Sequence, residues 1–292
     1  MTIWKDYQLV YSLPEALEVM QKAGELAQFV SGGTDLLLEI QQGVHSPIDT
    51  LIDLNHIEDM RVLEEKNGKL FIGASVPVST ITNSDLIKTH AMAVSEATGL
   101  IGGPQVRNSA TLGGNVAHAL PAADGMISLV AMDATAIIYS KFGYSEKNIL
   151  SLFKGPGISA LEKGEILVGF TLPIKQMGEA SAFDRVMRPQ GVALPILNHA
   201  VWLRRKYNVI DDVRIVFGPS GPVPTRALEI ENVMRGNPLT EDLIKEAKRV
   251  LIATVKFRTS KKRATAEYRY HLAQNLLEKV VNIAWNRAGG GK

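Results

Sequence analysis

The sequence predicts an α+β protein in two parts, and three observations support that prediction. In the first part, helical spacing alternates with short apolar runs, which is typical of a small βαβ-like unit. After Pro173, the polar run 175–179 is typical of a linker. Beyond this linker, strand patterns come first and helix patterns come last, an order that favours an α+β domain.

The first part begins with a helix signal. Residues 12–15, Ser-Leu-Pro-Glu, have the form of a capping box, and apolar residues follow at helical spacing as far as Ala23. Strands are expected at 28–30 and 50–54, with a helical pattern over 36–40 between them. These elements together predict a small βαβ-like unit at the start of the chain.

A hairpin signal comes next. Strands expected at 60–63 and 70–74 flank Asn67-Gly68, and Asn-Gly is the dipeptide most typical of a two-residue hairpin turn. The rest of this part contains two helix patterns followed by two strand patterns, predicted at 91–98, 126–132, 134–139 and 165–170.

The second part opens with strand patterns in antiparallel order. The strands are predicted at 181–187, 195–205 and 213–218. The helices that follow are predicted at about 225–234, 240–255 and 262–286. The predicted domains are therefore 1–177 and 178–292.

The composition is that of an ordinary folded protein of nearly neutral charge. The chain has 292 residues, of which 46% are hydrophobic, and its 32 Lys+Arg against 30 Asp+Glu give a formal charge of +2. This balance excludes a disordered chain and provides no basic footprint for nucleic acid. No apolar run approaches the ~20 residues of a membrane span, and the N-terminus lacks a signal-peptide pattern. We therefore expect a cytoplasmic protein with no membrane span.

Cysteine is absent from the chain. Its absence excludes disulfides, cysteine-ligated zinc or iron–sulfur centres, and a cysteine nucleophile. Any redox cofactor in this chain must therefore be held without thiolates. No spacing of His, Asp and Glu suggests a metal site, and the lone His118 is expected to be structural.

Two glycine pairs lie in surroundings rich in hydroxyl or amide side chains. One is Gly32-Gly33 within residues 29–35, and the other is Gly113-Gly114 within residues 110–115. Successive N–H groups in a sharp glycine turn form an anion-binding nest, so two such loops could hold a pyrophosphate from both sides. Plain turns explain the two pairs about equally well. Neither loop has the Rossmann or P-loop pattern.

Four segments together resemble one protein family. Residues 30–41 (VSGGTDLLLEIQ) and 102–134 (GGPQVRNSATLGGNVAHALPAADGMISLVAMDA) resemble the two flavin motifs of the FAD-binding medium subunits of molybdenum hydroxylases. Residues 164–173 (GEILVGFTLP) resemble the strand that closes the flavin domain, and 260–273 (SKKRATAEYRYHLA) the signature of the C-terminal domain. The family includes xanthine, nicotinate and carbon monoxide dehydrogenase subunits, and this chain looks most similar to the bacterial xanthine dehydrogenase type.

The resemblance implies a fold and a cofactor. The fold is the two-lobed FAD-binding domain of the vanillyl-alcohol oxidase and p-cresol methylhydroxylase type, with lobes at about 1–56 and 57–177. A C-terminal α+β domain of antiparallel sheet and helices follows. Some members of the wider superfamily attach flavin covalently to a histidine in the first loop, which has none here. Noncovalent FAD is therefore implied.

The resemblance also implies the cofactor-binding residues. The first loop matches the segment that wraps the FAD pyrophosphate, the second matches the other flavin loop, and Asp124 matches an acidic residue near the ribityl or pyrophosphate region. The implied set is Gln28, Phe29, Val30, Ser31, Gly32, Gly33, Thr34, Asp35, Ala110, Thr111, Gly113, Gly114, Asn115, Asp124, Ile166, Leu167, Phe183 and Arg185. Neither a catalytic acid–base residue nor a metal ligand is implied. Asp124 as the N-cap of the helix at 126–132 is a competing reading.

Some positions depart from the family pattern or have two readings. Many relatives have lysine where this chain has Arg185, and 188–192 lacks the acidic-plus-apolar pattern expected of the loop over the flavin face. Residues 107–108 form either a solvated turn or a contact to FAD or a partner. The basic run 261–263 is expected to be a solvated helix start or a subunit contact.

The function implied by the resemblance is electron transfer within a multi-subunit enzyme. FAD would take electrons from [2Fe-2S] clusters in a partner subunit and pass them to an acceptor such as NAD, while a further subunit holds the molybdenum cofactor. The implied assembly is a dimer of heterotrimers. Two alternatives remain open, a flavin-free scaffold subunit and a standalone flavin reductase of the same superfamily.

Overall fold

The structure, a computed structural model, describes residues 4–44, 47–188, 194–261 and 263–290. It confirms the predicted α+β class. Of the segments discussed above, 189–192 and Lys262 lie outside the described residues.

The first lobe is a parallel three-stranded sheet in the order β1-β3-β2. Its elements are β1 (Asp6–Leu9), α1 (Leu13–Ala23), β2 (Ala27–Val30), α2 (Leu36–Gln41) and β3 (Thr50–Asp53). The Ser12 side chain accepts a hydrogen bond from the Glu15 backbone N–H, and the Glu15 carboxylate accepts one from the Tyr11 N–H, so the predicted cap is confirmed.

The second lobe is built on a five-stranded antiparallel sheet in the order β4-β5-β10-β6-β7. Its elements are β4 (Leu63–Lys66), β5 (Lys69–Gly73), α3 (Val78–Asn83), α4 (Asp85–His90), α5 (Met92–Gly99), α6 (Pro104–Ser109), α7 (Leu112–Ala117), α8 (Asp124–Ala131), β6 (Thr135–Ser140), β7 (Gly143–Asn148), β8 (Phe153–Gly155), β9 (Ile158–Ser159) and β10 (Ile166–Pro173).

The turn of the hairpin in this lobe lies where the sequence predicts it, but the first strand of the hairpin does not. The turn at Asn67-Gly68 has positive φ at both residues, 52° and 69°, and Lys66 pairs with Lys69 across it. The strand expected at 60–63 is wrong, because the two-residue turn fixes the register and places the strand at Leu63–Lys66. Met60 instead ends a short 3₁₀ turn and is buried.

The C-terminal part is an antiparallel sheet, β11-β12-β13-β14, followed by helices. Its elements are β11 (Glu179–Met187), β12 (Pro195–Lys206), β13 (Val209–Gly218), β14 (Thr225–Arg226), α9 (Leu228–Met234), α10 (Glu241–Thr254) and α11 (Ala266–Ala288). The helix expected to begin at residue 225 is wrong at its start, because Thr225 and Arg226 pair with β13 and extend the sheet.

The two faces of this sheet belong to different cores. One face packs against the three C-terminal helices and contains Leu197 and Val213. The other face joins the core of the second lobe through Phe183, Ala200 and Val216. Because side chains alternate along a strand, Arg185 and Asn198 share this second face and pair across β11 and β12. Among the described helices, none is both long and apolar enough to cross a membrane.

Candidate functional site

The first glycine loop connects β2 to α2 and presents unused backbone donors. The N–H groups of Gly32, Gly33 and Thr34 donate no hydrogen bond to any other described residue. Gly33 has a φ of +66°, in the left-handed region that glycine enters without strain. Successive free N–H groups of this kind suit a phosphate oxygen.

Ser31 anchors this loop to both lobes. Its hydroxyl lies 2.9 Å from Asn55 Oδ1 and 3.1 Å from Ser75 Oγ, while Asn55 Nδ2 donates to the Ser31 carbonyl oxygen at 2.9 Å. Asn55 and Ser75 are absent from the sequence-predicted set. Asn55 directly follows β3, which is parallel to β2. Because ligand sites form beyond the carboxyl ends of parallel strands, its position after a predicted strand was the signal that could have identified Asn55.

The second glycine loop uses most of its own donors internally. Thr111 is the N-cap of α7, and its hydroxyl accepts the Gly114 N–H at 3.1 Å. The Gly113 N–H donates to the Ala74 carbonyl oxygen at 2.9 Å, and a Cβ on Gly113 would lie 2.5 Å from the Ala74 Cβ. This loop therefore provides close backbone packing, and its glycine N–H groups are not a free nest.

The fold brings the two loops side by side. A Cβ built on Gly32 would lie 2.4 Å from the Ser109 carbonyl oxygen and 2.8 Å from the Ala110 Cα. His118 strengthens this contact, with Nε2 2.8 Å from Glu39 Oε1 and Nδ1 3.7 Å from Asp35 Oδ2. Asp35 therefore faces His118, whose ring links the end of α7 to α2; the structural role expected of His118 stays a prediction.

Asp124 and Arg185 form an ion pair between the second lobe and β11. Their side chains are 4% and 6% exposed, and an Arg185 Nη1 hydrogen bond joins them. Asn198 Nδ2 donates to Asp124 Oδ1 at 2.7 Å and to the Ala122 carbonyl oxygen at 3.1 Å. Burial raises the pKa of Asp124 to about 6, against the opposing effects of Arg185 and the Asn198 hydrogen bond.

Asp124 is not a helix cap. The N-cap of α8 is Ala123, and the helix has no side-chain cap. The capping reading is wrong because the Asp124 carboxylate turns toward Arg185 and Asn198 instead. Asn198 was missed from the sequence. The signal for it was a polar residue in the apolar strand pattern of β12.

Asn115 links the second loop to α8. Its Oδ1 accepts the Met126 N–H at 3.3 Å, which leaves the two Nδ2 hydrogens without an acceptor among the described residues. Ile166 and Leu167 lie buried at the start of β10, where the neighbouring Val168 carbonyl oxygen accepts the Ala74 N–H. This strand therefore supports the second loop through Ala74.

The remaining predicted residues have different surroundings. Val30 and Phe183 are buried, Phe29 is half-buried, and Gln28 lies exposed on β2. The Phe183 N–H donates to Glu96 Oε2 at 2.8 Å, which ties β11 to α5. Gln28 thus lies outside the contacts that bring the other predicted residues together.

Arg107 has a local role. Its Nη1 donates to the Gly102 carbonyl oxygen at 2.7 Å, so the guanidinium closes the turn before α6. This contact favours the turn reading over a cofactor contact. In the described part of the chain, no cluster of three or more His, Asp or Glu residues could hold a metal ion.

The donor set fits a flavin dinucleotide. The first loop offers the free N–H groups of 32–34, which suit a pyrophosphate. Arg185 Nε is buried without a hydrogen-bond partner among the described residues. A buried unpaired donor is costly, so a carbonyl or ring nitrogen acceptor next to it would be stabilised. A loop with free N–H groups and a buried donor without a partner are two features that a bound flavin dinucleotide could use.

Comparisons with known proteins cover both parts of the chain. Residues 4–175 match the family model described as the FAD binding domain in molybdopterin dehydrogenase. Residues 181–284 match the model described as the CO dehydrogenase flavoprotein C-terminal domain.

Individual relatives match over most of their length. The glyceraldehyde dehydrogenase medium chain of Sulfolobus acidocaldarius is 30% identical over 82% of this chain and 84% of its own. A putative xanthine dehydrogenase FAD-binding subunit of Escherichia coli is 28% identical over 97% of both chains. A carbon monoxide dehydrogenase structure from Hydrogenophaga pseudoflava superimposes with a TM-score of 0.91 at 25% identity, covering 97% of this chain and 98% of that one.

Proposed function

This chain belongs to the family of FAD-binding medium subunits of molybdenum hydroxylases, and from that premise we propose the path of its electrons and its partners. The chain is thus part of an oxidoreductase. It takes electrons from [2Fe-2S] clusters in a partner subunit and passes them to an acceptor such as NAD. The free N–H groups of 32–34, lying beside the second flavin loop, are the observation that carries this function.

The residues named from the sequence would divide the work of holding FAD. The N–H groups of 32–34 would bind the pyrophosphate, with Thr34 and Asn115 adding side-chain donors. Arg185 would face the electron-rich end of the ring system, and Asp124 would hold Arg185 in place. When bound, the flavin supplies reversible uptake of two electrons, and the protein supplies position and electrostatics.

The residues around the site would hold the cofactor in one orientation and exclude water from it. Ile166, Leu167 and Phe183 are buried in the protein core and would hold in place the strands that carry the site. The Asp124–Arg185 pair is nearly inaccessible to solvent. A fixed, poorly solvated charge acts more strongly on a bound ring than the same charge in water.

The absence of cysteine supports a division of labour between subunits. Iron–sulfur clusters are held by cysteine thiolates, and this chain has none. The clusters therefore belong to a partner subunit. We place the molybdenum cofactor in a further subunit, and the whole in a cytoplasmic complex arranged as a dimer of heterotrimers. Within the chain, we assign residues 1–177 to the FAD-binding part and 178–292 to the C-terminal part. This division is supported by the second hydrophobic core, which consists entirely of residues after β10.

Native copurification tests this function. The complex should show a flavin spectrum, two kinds of partner subunit, iron and molybdenum. A purified complex that reduces NAD only when FAD is present would support the acceptor. Partner subunits without any flavin would favour a scaffold instead, and a flavin-loaded chain active without partners would favour a standalone reductase.

A further inference from the structure

Arg258, Arg263 and Arg269 lie around the beginning of α11, close enough for their positive charges to act on one another, and are called the arginine cluster below. Arg269 lies on the first turns of the helix and is 1% exposed. Its Nε and Nη1 have no hydrogen-bond partner within the described ranges. Arg263 is half-buried and Arg258 is exposed, so the cluster reaches from the interior to the surface.

The charges of this arginine cluster are not balanced by any described carboxylate. Burial, together with the positive charges of Arg263 and Arg258, lowers the pKa of Arg269, and burial and Arg258 lower that of Arg263. None of the three has an ion pair with a described Asp or Glu. An unpaired buried cation is strongly unfavourable, so an anion at this position would remove a large electrostatic penalty.

The arginine cluster lies beside the end of β11. Arg188 Nη2 donates to the Arg263 carbonyl oxygen at 3.4 Å. At the same strand end, Arg185 Nη2 lies 3.2 Å from Met187 Sδ, and Arg185 is the residue that pairs with Asp124. The arginine cluster is therefore a neighbour of the proposed flavin site but is separate from its residues.

We propose that Arg258, Arg263 and Arg269 form a binding site for a phosphate dianion. A doubly charged, tetrahedral anion compensates three guanidinium groups better than a single carboxylate, and planar guanidinium donors match phosphate oxygens. The two negative charges have two chemical sources: free inorganic phosphate, or the pyrophosphate of a nucleotide electron acceptor, in which each of the two phosphate groups carries one charge. The second source rests on the proposed electron-transfer function, and the first does not.

Calorimetric titration of the full-length, FAD-loaded chain with sodium phosphate tests the site. Saturable binding at one site per chain is expected at constant ionic strength, with sodium chloride giving none. Arg263→Gln should weaken binding by about tenfold or more, since one charged hydrogen-bond donor is lost. Arg249→Gln removes the same charge from an exposed face of α10, where Arg249 pairs with Glu246, and should leave binding unchanged.

Arg269→Met provides a second, independent measurement. Without phosphate, its melting temperature should equal or exceed that of the wild type, because a buried unpaired charge is removed. With phosphate, the wild type should gain thermal stability and the variant should not. A variant that loses stability without phosphate yet retains the phosphate-dependent gain would overturn the proposal.

Competition with NAD⁺ separates the two sources. If NAD⁺ displaces phosphate and Arg263→Gln weakens the binding of both ligands, the site serves a nucleotide. If NAD⁺ does not compete with phosphate, the site serves free phosphate. Absence of saturable binding, equal binding by Arg263→Gln and Arg249→Gln, or loss of the site in the assembled complex would each overturn the proposal. The flavin spectrum of the same samples reports on the proposed function separately, so a chain that holds FAD but not phosphate contradicts this inference alone.

Discussion

Arg185 and Asp124 form a nearly inaccessible ion pair that joins β11 to the first turn of α8. The pair connects the C-terminal sheet to the second lobe. Asn198 completes it from β12, so two neighbouring strands meet the distant helix α8 at one carboxylate. A lysine at this position would carry the same charge, but the guanidinium can bind Asp124 and retain a further donor at Nε.

Removing one partner of this pair should be strongly destabilising. Asp124→Ala leaves Arg185 buried and unpaired, so the free energy of unfolding should fall by about 3–5 kcal/mol. Adding Arg185→Met should recover part of that loss, because methionine leaves no charge to compensate. Urea unfolding of the wild type, both single variants and the double variant measures this coupling, and strictly additive losses would contradict it.

The same carboxyl should give a pH-dependent stability. The pKa of Asp124 is raised from 3.8 to about 6 in the folded protein, so between these values the folded state binds more protons than the unfolded state. Its contribution is fully present below about pH 4 and is lost as the pH rises through about 6. The wild type should therefore lose stability relative to Asp124→Asn over this interval, as measured by urea unfolding. A constant difference between the two proteins would contradict the shift.

His199 should show the opposite slope in an overlapping interval. It is fully buried, stacks on Phe217 at 4.1 Å, and donates from Nδ1 to the Val216 carbonyl oxygen, and burial lowers its pKa from 6.5 to about 4. The unfolded state then binds more protons below pH 6.5, so stability is lost as the pH falls toward 4. Relative to His199→Phe, the wild type should become less stable on acidification, in the same unfolding assay. Parallel pH profiles would show that His199 is not buried in its neutral form.

Local signals explain which elements could be predicted from the sequence. The N-cap at Ser12 and the Asn67-Gly68 turn lie within a few residues of the structure that they specify, and both are found. The second bond of the capping box is displaced by one residue, from the Ser12 N–H to the Tyr11 N–H. The helices α3, α4, α6 and α7 were missed because each has only six residues and too few apolar ones to show helical periodicity. The equally short α2 was found because four of its six residues are apolar. The strand β1 was missed because most of its residues are exposed, so no apolar alternation marks it.

The glycine loops of the candidate site could be predicted from the sequence, but the residues that contact the predicted site residues could not. Glycine pairs are visible in any sequence, whereas Asn55, Ser75 and Asn198 act through pairings between distant segments. Nor could the sequence show that the Gly113 N–H is used by Ala74, because that bond depends on how β5 meets α7. Polar residues at the ends of strands and inside apolar strands are the sequence feature by which such partner residues can be predicted.

Gly33 should be required for flavin binding because of its backbone. Gly33→Ala places a side chain at a φ of +66°, which costs about 1–3 kcal/mol, and turns the N–H groups of the loop. FAD affinity should fall by about tenfold or more, as measured by flavin fluorescence on dilution or by titration of the flavin-free chain.

Gly43→Ala is the matched control for this variant. Gly43 has the same φ of +66°, and a Cβ there would meet nothing within 4 Å. A Cβ on Gly33 would also lie 3.1 Å from Leu37 Cδ1, so Gly33→Ala should lose at least as much stability as Gly43→Ala, but FAD affinity should fall in Gly33→Ala alone. Equal flavin loss in the two variants would assign the effect to general destabilisation of the first lobe.

Glu96 should hold the C-terminal sheet against the second lobe. Its Oε1 accepts a hydrogen bond from Arg287 Nη2 at 2.6 Å, and its Oε2 accepts the Phe183 N–H at 2.8 Å, so one side chain of α5 binds both β11 and α11. Glu96→Gln keeps an acceptor for the backbone but removes the charge, and the free energy of unfolding should fall by about 1–2 kcal/mol. Glu246→Gln breaks a pair of the same chemistry with Arg249 on the exposed face of α10 and should have no measurable effect. Urea unfolding compares the two variants, and equal effects would show that the Glu96 contacts add no stability beyond that of an exposed pair.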